Sequence, residues 1–209
     1  MKNTSVRKRG LIFIAIGWAL LLIGYRVDEL ALSQGALVAT YALAIASIIL
    51  LTGYSGQLSL GHSALMAVGA YAAALSTNNL GLSPAIALVV AAFVAGIFGL
   101  ILGFGVARLS GPYLAGTTLA LAVSLPTIAN QFEILGGEQG VAFDIGLPPA
   151  RFGEEFSQYK WFFWICALAA LLMIWLISNI LASRYGRIFR ALRDNPVAAS
   201  LSGINVGRL

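Results

Sequence analysis

The sequence predicts an all-α polytopic membrane protein with about six transmembrane helices and both termini in the cytoplasm. Three observations carry this. Charged residues are only 10% of the 209 residues, against 59% hydrophobic ones, where a soluble domain carries roughly 25% charge. No Asp, Glu, Lys or Arg occurs from Leu30 to Ala107, a run that holds about three spans of roughly 20 apolar residues and their turns. The basic residues gather on one side of the resulting series and the acidic residues on the other.

Spans are expected over about residues 10–25, 30–51, 58–75, 84–107, 112–128 and 161–182. The first is short. Its basic start, apolar core and small Ala31 and Ser33 also resemble a signal peptide, but the charged Arg26 to Glu29 segment between core and cleavage site favours an uncleaved helix. Between the second and third spans lies GYSGQLSLGH, residues 53–62, which is polar and glycine-rich. The fourth span carries Ala92, Gly96, Gly99 and Gly103, small residues at spacings that let helices approach closely. Pro126 is expected to kink the fifth. The sixth opens on Trp161, Phe162, Phe163 and Trp164, which suit an interfacial aromatic belt.

Charge placement orients the series. With the N-terminus inside, Lys2, Arg7, Lys8, Arg9, Arg108, Arg184, Arg187, Arg190, Arg193 and Arg208 fall inside, and only Arg26, Arg151 and Lys160 outside. Asp28, Glu29, Glu133, Glu138, Asp144, Glu154 and Glu155 fall outside. This obeys the positive-inside rule. A re-entrant segment near 53–62 would leave the balance unchanged. The net charge of +5 therefore belongs to a membrane face and not to a nucleic-acid interface. The outer loop, about 129–160, is net acidic and contains Gly136 to Gly140 and Pro148-Pro149. It reads as a solvated loop or as a docking surface for an external partner.

Cys166 and His62 are the single cysteine and histidine. One of each forms neither an internal disulfide nor a metal cluster, so Cys166 is expected to be a packing residue, and no metal site, cofactor or catalytic group is expected. The Gly-x-Ser-Gly of Gly53 to Gly56 raises the alternative of an intramembrane serine hydrolase using Ser55. A nucleophile needs a base within hydrogen-bond reach. His62 is seven residues on, roughly 10 Å along a helix, and the chain has no second histidine. Gly53, Gly56 and Gly61 instead weaken a helix, while Ser55, Gln57, Ser59 and His62 are polar in apolar surroundings. Polar groups at membrane depth mark pathways, and broken backbone there needs protein or a watery cavity beside it. Two readings remain open: a broken or re-entrant helix beside a translocation route, or a simple cytoplasmic turn.

After the last span, Tyr185, Ile188, Phe189 and Leu192 are spaced i, i+3, i+4, i+7 and form one apolar helical face, with Arg184, Arg187, Arg190 and Arg193 around the rest. Asn195 reads as an N-cap with Pro196 at the first helical position. Val197 to Ser202 form a second short helix that Gly203 ends. This tail either rests on anionic lipid or docks on a protein, which the small Ala198, Ala199 and Ser200 favour.

GYSGQLSLGHSALMAVGAYAAAL closely resembles the signature of the permeases of branched-chain amino acid ABC transporters, of the LivM type. RLSGPYLAGTTLALAVSLPTIANQFEILGGEQGV and the tail RYGRIFRALRDNPVAASLSGINV resemble the following blocks, so the resemblance covers most of residues 35–209. It implies a multi-pass subunit of the bacterial inner membrane that is not itself an enzyme. It also implies four kinds of neighbour: a second permease subunit, two cytoplasmic ABC ATPases, a periplasmic substrate-binding protein and the lipid bilayer. The cargo would be branched-chain or other hydrophobic amino acids, with urea, short amides or aromatic acids as the alternative. By the same resemblance, Arg187, Arg190, Ala191, Asp194, Ala198, Ala199 and Gly203 couple the chain to an ATPase. The expected organisation is a transmembrane permease domain over 1–183 and a cytoplasmic coupling segment over 184–209. Family members continue with further spans, so the end at Leu209 is read as leading into a missing C-terminal half.

Overall fold

The computed structural model describes residues 2–106, 109, 111–143, 146, 148, 152 and 156–204, with side chains from Gly10 onward. Arg108, Asp144, Arg151, Glu154, Glu155 and Arg208, used above to orient the chain, lie outside the described residues.

Helices dominate, and no strand occurs among the described residues. In order they are α1 (Lys2–Ile23), α2 (Glu29–Ile48) continued by a π-helical turn (Ile49–Tyr54), α3 (His62–Asn78), α4 (Pro84–Val106) and α5 (Pro112–Asn130). Two short 3-10 turns (Glu133–Leu135 and Gly137–Gln139) precede α6 (Gln158–Ala182), α7 (Arg184–Asp194) and α8 (Pro196–Leu201). Four helices among the described residues are long and apolar enough to cross a membrane: Glu29–Tyr54, Pro84–Val106, Pro112–Asn130 and Gln158–Ala182. Gly10–Ile23 is a shorter apolar helix, and α3 has only 17 residues. The third helix starts at His62 and not near 58, because residues 56–61 have left the helix. Pro126 lies inside α5 without ending it.

The chain forms two compact units. The first comprises Met1–Gly56 and Leu147–Leu209. Here α6 packs on α2 and α1, around a core of Leu32, Phe163, Trp164 and Ala167, with Leu20, Leu21, Val27 and Phe156 against it. Two residues of the expected aromatic belt are therefore core residues. Glycines make room for them: a Cβ on Gly35 would sit 2.8 Å from the Phe163 ring, and one on Gly24 2.6 Å from Trp164 Nε1. Tyr25 and Phe156 close over Trp164, with ring centroids at 5.4 and 5.1 Å. Ser157 Oγ donates to Glu29 Oε1 at 2.6 Å, tying the start of α6 to that of α2. Cys166 is half-buried in α6 beside Thr40.

The second unit comprises Gln57–Gly146, with α3 packed on α4 and α5. Small residues carry this contact: Ala64, Ala73 and Ala74 of α3 and Ala87 and Ala91 of α4 are all buried. Of the small residues singled out in α4, Gly99 faces Leu65 of α3, whereas Gly96 and Gly103 have open space beside them among the described residues. Asn78 Nδ2 donates to the Ala142 carbonyl at 3.0 Å and holds the loop that follows the 3-10 turns against the end of α3.

Candidate functional site

The residues singled out in the sequence gather around the break that follows α2 and around the two tail helices. The break begins inside α2. From Ile49 the helix widens to the π pattern, and the Ser55 amide bonds back to the Leu50 carbonyl. Such turns are rare and concentrate at functional sites. Gly56 then takes φ +71°, a left-handed conformation that costs residues with a Cβ roughly 1–2 kcal/mol. Ser55 Oγ donates to the Leu51 carbonyl at 2.5 Å, the back-bond of a helical serine. Its proton is committed to its own helix.

The tail follows from α6 by a sharp corner at Ser183, which is extended (ψ −173°) and serves as C-cap of α6 and N-cap of α7. Ser183 Oγ accepts from the Tyr185 amide at 3.1 Å. Gly186 is buried in this corner, and a Cβ there would collide with the carbonyl group of Leu181. The expected apolar face of α7 is present in part: Ile188, Phe189 and Leu192 are half-buried, while Tyr185 is 58% exposed. Asn195 Oδ1 accepts from the Ala198 amide at 3.0 Å and caps α8, with Pro196 at its first position. At the far end the Gly203 amide bonds the Ser200 carbonyl and the Ile204 amide the Ala199 carbonyl, a Schellman motif with Gly203 at φ +82°.

Within the first unit these two regions meet. α7 lies against the π-helical turn. Arg193 Nη1 donates to the Gly53 carbonyl at 2.6 Å. Its Nε and Nη2 hold Asp194 Oδ1 at 2.9 and 2.8 Å. The Arg190 guanidinium stands 6.0 Å from the centroid of the Tyr54 ring, within cation–π range, and Arg190 Nε donates to the Gly186 carbonyl at 3.1 Å. Arg187 Nη1 reaches the Ser183 carbonyl at 3.3 Å. Arg187, Arg190, Asp194 and Ala198 are exposed, Ala191 is half-buried and Ala199 is buried.

Within the second unit, Gln57, Ser59, Gly61 and His62 line the other half of the break. Leu60 donates its amide to Thr118 Oγ1 of α5 at 3.0 Å, and the Gly61 amide faces Ser59 Oγ at 3.4 Å. Gly61 is buried, and a Cβ on it would lie 3.1 Å from Thr118 Cβ. His62 is half-buried at the first position of α3. No group of three or more His, Cys, Asp or Glu side chains clusters among the described residues.

Three residues in this arrangement stand outside the sequence-derived set: Arg193, Gly186 and Thr118. Arg193 and Gly186 sit within the tail motif, and Thr118 is one of several hydroxyl residues of α5, with Thr117, Ser124 and Thr127. Their partners are remote in sequence or across a corner, so no local pattern marks them.

Residues 30–209 match the family described as branched-chain amino acid transport system / permease component. The chain belongs to this family. As a member of the permease family it is 28% identical, over 224 residues, to the high-affinity branched-chain amino acid transport system permease protein LivM of Escherichia coli (strain K12). It is also 28% identical, over 224 residues, to the LivM protein of Salmonella typhimurium (strain LT2). Each comparison takes in 95% of this permease-family chain and 51% of the relative. The chain thus spans about half the length of the curated relatives it matches. No solved structure matches it.

Proposed function

We propose that the chain is the transmembrane permease subunit of an ABC importer that carries branched-chain or other hydrophobic amino acids across the bacterial inner membrane. The observation that carries the reading is the seating of α7 on the broken end of α2, through Arg193 on Gly53 and Arg190 over Tyr54. An amphipathic helix outside the apolar spans, joined by polar contacts to a helix break, can deliver a push from a soluble partner to a membrane segment. Two cytoplasmic ATPases would grip α7 and α8 through Arg187, Arg190, Ala191, Asp194, Ala198, Ala199 and the turn at Gly203. Closure of the ATPase pair on ATP would then rock the spans as rigid bodies between two states. A second permease subunit and a periplasmic binding protein complete the system, and the chain itself performs no covalent chemistry.

We further propose six crossings with both ends cytoplasmic, formed by α1, α2 with its π turn, α3, α4, α5 and α6. At 17 residues, α3 is about 26 Å long, short of a hydrocarbon core of about 30 Å. Residues 57–61 would make up the difference. Non-helical backbone at that depth needs protein or a watery cavity beside it; the Leu60 amide has its partner in Thr118, Gly61 is buried, and Gln57, Leu58 and Leu60 are exposed. This favours the broken-helix reading over a plain turn, with Gly53, Ser55, Gly56, Gln57, Ser59, Gly61 and His62 beside the route.

The absence of Asp, Glu, Lys and Arg from Leu30 to Ala107 favours a second cargo reading on the same fold, urea, short amides or aromatic acids, since His62 alone could pair with a zwitterion there. An uptake panel decides. The gene is deleted in its host, and labelled leucine, a polar amino acid and urea are tested. Selective loss of leucine uptake, restored by the gene, supports the amino-acid reading. Selective loss of urea uptake moves the cargo, and unchanged uptake of all three removes the transport reading.

A further inference from the structure

We propose that Arg193 is a positioning residue that ties the movement of α7 to the break in α2; this rests on the permease reading above. The last carbonyls of any helix lack intrahelical donors, and at Gly56 the backbone turns left-handed and leaves the helix. The Gly53 carbonyl finds its donor in Arg193 Nη1, from a residue 140 positions away in the chain. The guanidinium thereby caps the negative end of the helix dipole. Asp194 makes the contact specific. It takes Nε and Nη2 on one carboxylate oxygen, which fixes the planar guanidinium and leaves Nη1 pointing at Gly53.

The stem of Arg193 is seated as well. A Cβ on Gly56 would lie 2.7 Å from Arg193 Cγ and 3.3 Å from its Cβ, so Gly56 supplies both the backbone turn and the space for the arginine. The helix end that Arg193 holds is the π-helical turn, whose i+5 pattern differs from the neighbouring α-helical one by a single residue of register. A segment with two close arrangements, gripped by a residue on the helix that faces the ATPases, forms a link that couples one movement to the other. Arg193 acts through the Gly53 carbonyl, beside the exposed Asp194 of the docking surface.

The test uses the importer complex isolated from its host, with variants introduced in the chromosomal gene. Arg193→Met keeps the stem and removes the guanidinium. Gly56→Ala displaces the stem and leaves the guanidinium present. After reconstitution in vesicles, labelled leucine taken up and ATP hydrolysed are both measured, and the readout is their ratio. The ATPases remain bound in both variants, and the ratio falls about tenfold, the size expected from the loss of one hydrogen bond to a charged donor. A role confined to folding would lower the yield and leave the ratio of the surviving complexes unchanged. An unchanged ratio in either variant overturns the proposal, and so does loss of the ATPases, which would put Arg193 in the docking surface itself. Failure of the parent complex to bind ATPases or carry leucine would instead overturn the permease reading, and is seen before any variant is compared.

Discussion

Arg193 of α7 and Gly53 of the π-helical turn that continues α2 are joined by a 2.6 Å hydrogen bond from Nη1 to the carbonyl oxygen. Separated by 140 positions, they bring the first residues of the polar glycine-rich motif, Gly53 to Gly56, against the basic tail.

Gly186 holds the corner that aims α7. Because a Cβ there would strike the backbone carbonyl of Leu181, the obstacle cannot rotate away as a side chain would. Gly186→Ala is expected to destabilise the corner by about 1–3 kcal/mol, the range for overpacking. The ATPases should then be lost on purification while α6 remains inserted. Full recovery of the ATPases with Gly186→Ala would show that the corner relaxes freely.

Arg190 is exposed, stacks toward Tyr54 and bonds within its own helix, so its outer side is open to a partner. Arg190→Glu reverses its charge and is expected to abolish co-purification of the ATPases without lowering the amount of permease in the membrane. Normal co-purification removes Arg190 from the docking surface.

Thr118 supplies the acceptor for the Leu60 amide. Thr118→Val keeps the shape and removes that acceptor, at about 0.5–1.5 kcal/mol for one hydrogen bond at an exposed position. Gly61→Leu would force the same contact apart, since a Cβ already approaches Thr118 to 3.1 Å. The expected result is lost uptake by Gly61→Leu and weakened uptake and lower thermal stability for Thr118→Val, with the complex still assembled. Wild-type uptake by Gly61→Leu would show that no close approach is required at the break.

Ser55 donates to Leu51 within its own helix. Ser55→Ala is therefore expected to retain most of the uptake, and a change of less than about twofold fits the loss of one locally bonded hydroxyl. A hydrolase would lose its nucleophile and all activity, so the variant separates the two classes in one assay.

Much of this was legible in the sequence because local rules govern it. The apolar runs gave the helices from α2 onward with ends within a few residues. Asn195 with Pro196 and Gly203 announced both ends of α8, as capping depends only on neighbouring residues. The start of α3 was misplaced because Leu58 and Leu60 read as apolar helix, while the Leu60 amide is committed to Thr118, a contact no window of sequence displays. Two of the aromatic quartet pack inward for a reason no window of sequence displays. Phe163 and Trp164 are buried because Gly35 of α2 and Gly24 of the turn after α1 leave them space.

By itself the sequence determined the helical, membrane-spanning class, the existence of a break near Gly53 to His62, the capped tail helices and the family. Each depends on hydrophobicity, glycine content or capping groups that act over a few residues. Only the tertiary structure decided that Arg193 reaches Gly53, that Gly186 must be bare, and that Thr118 receives Leu60. These are contacts between segments distant along the chain or around a corner, where packing and orphaned backbone groups select the partner.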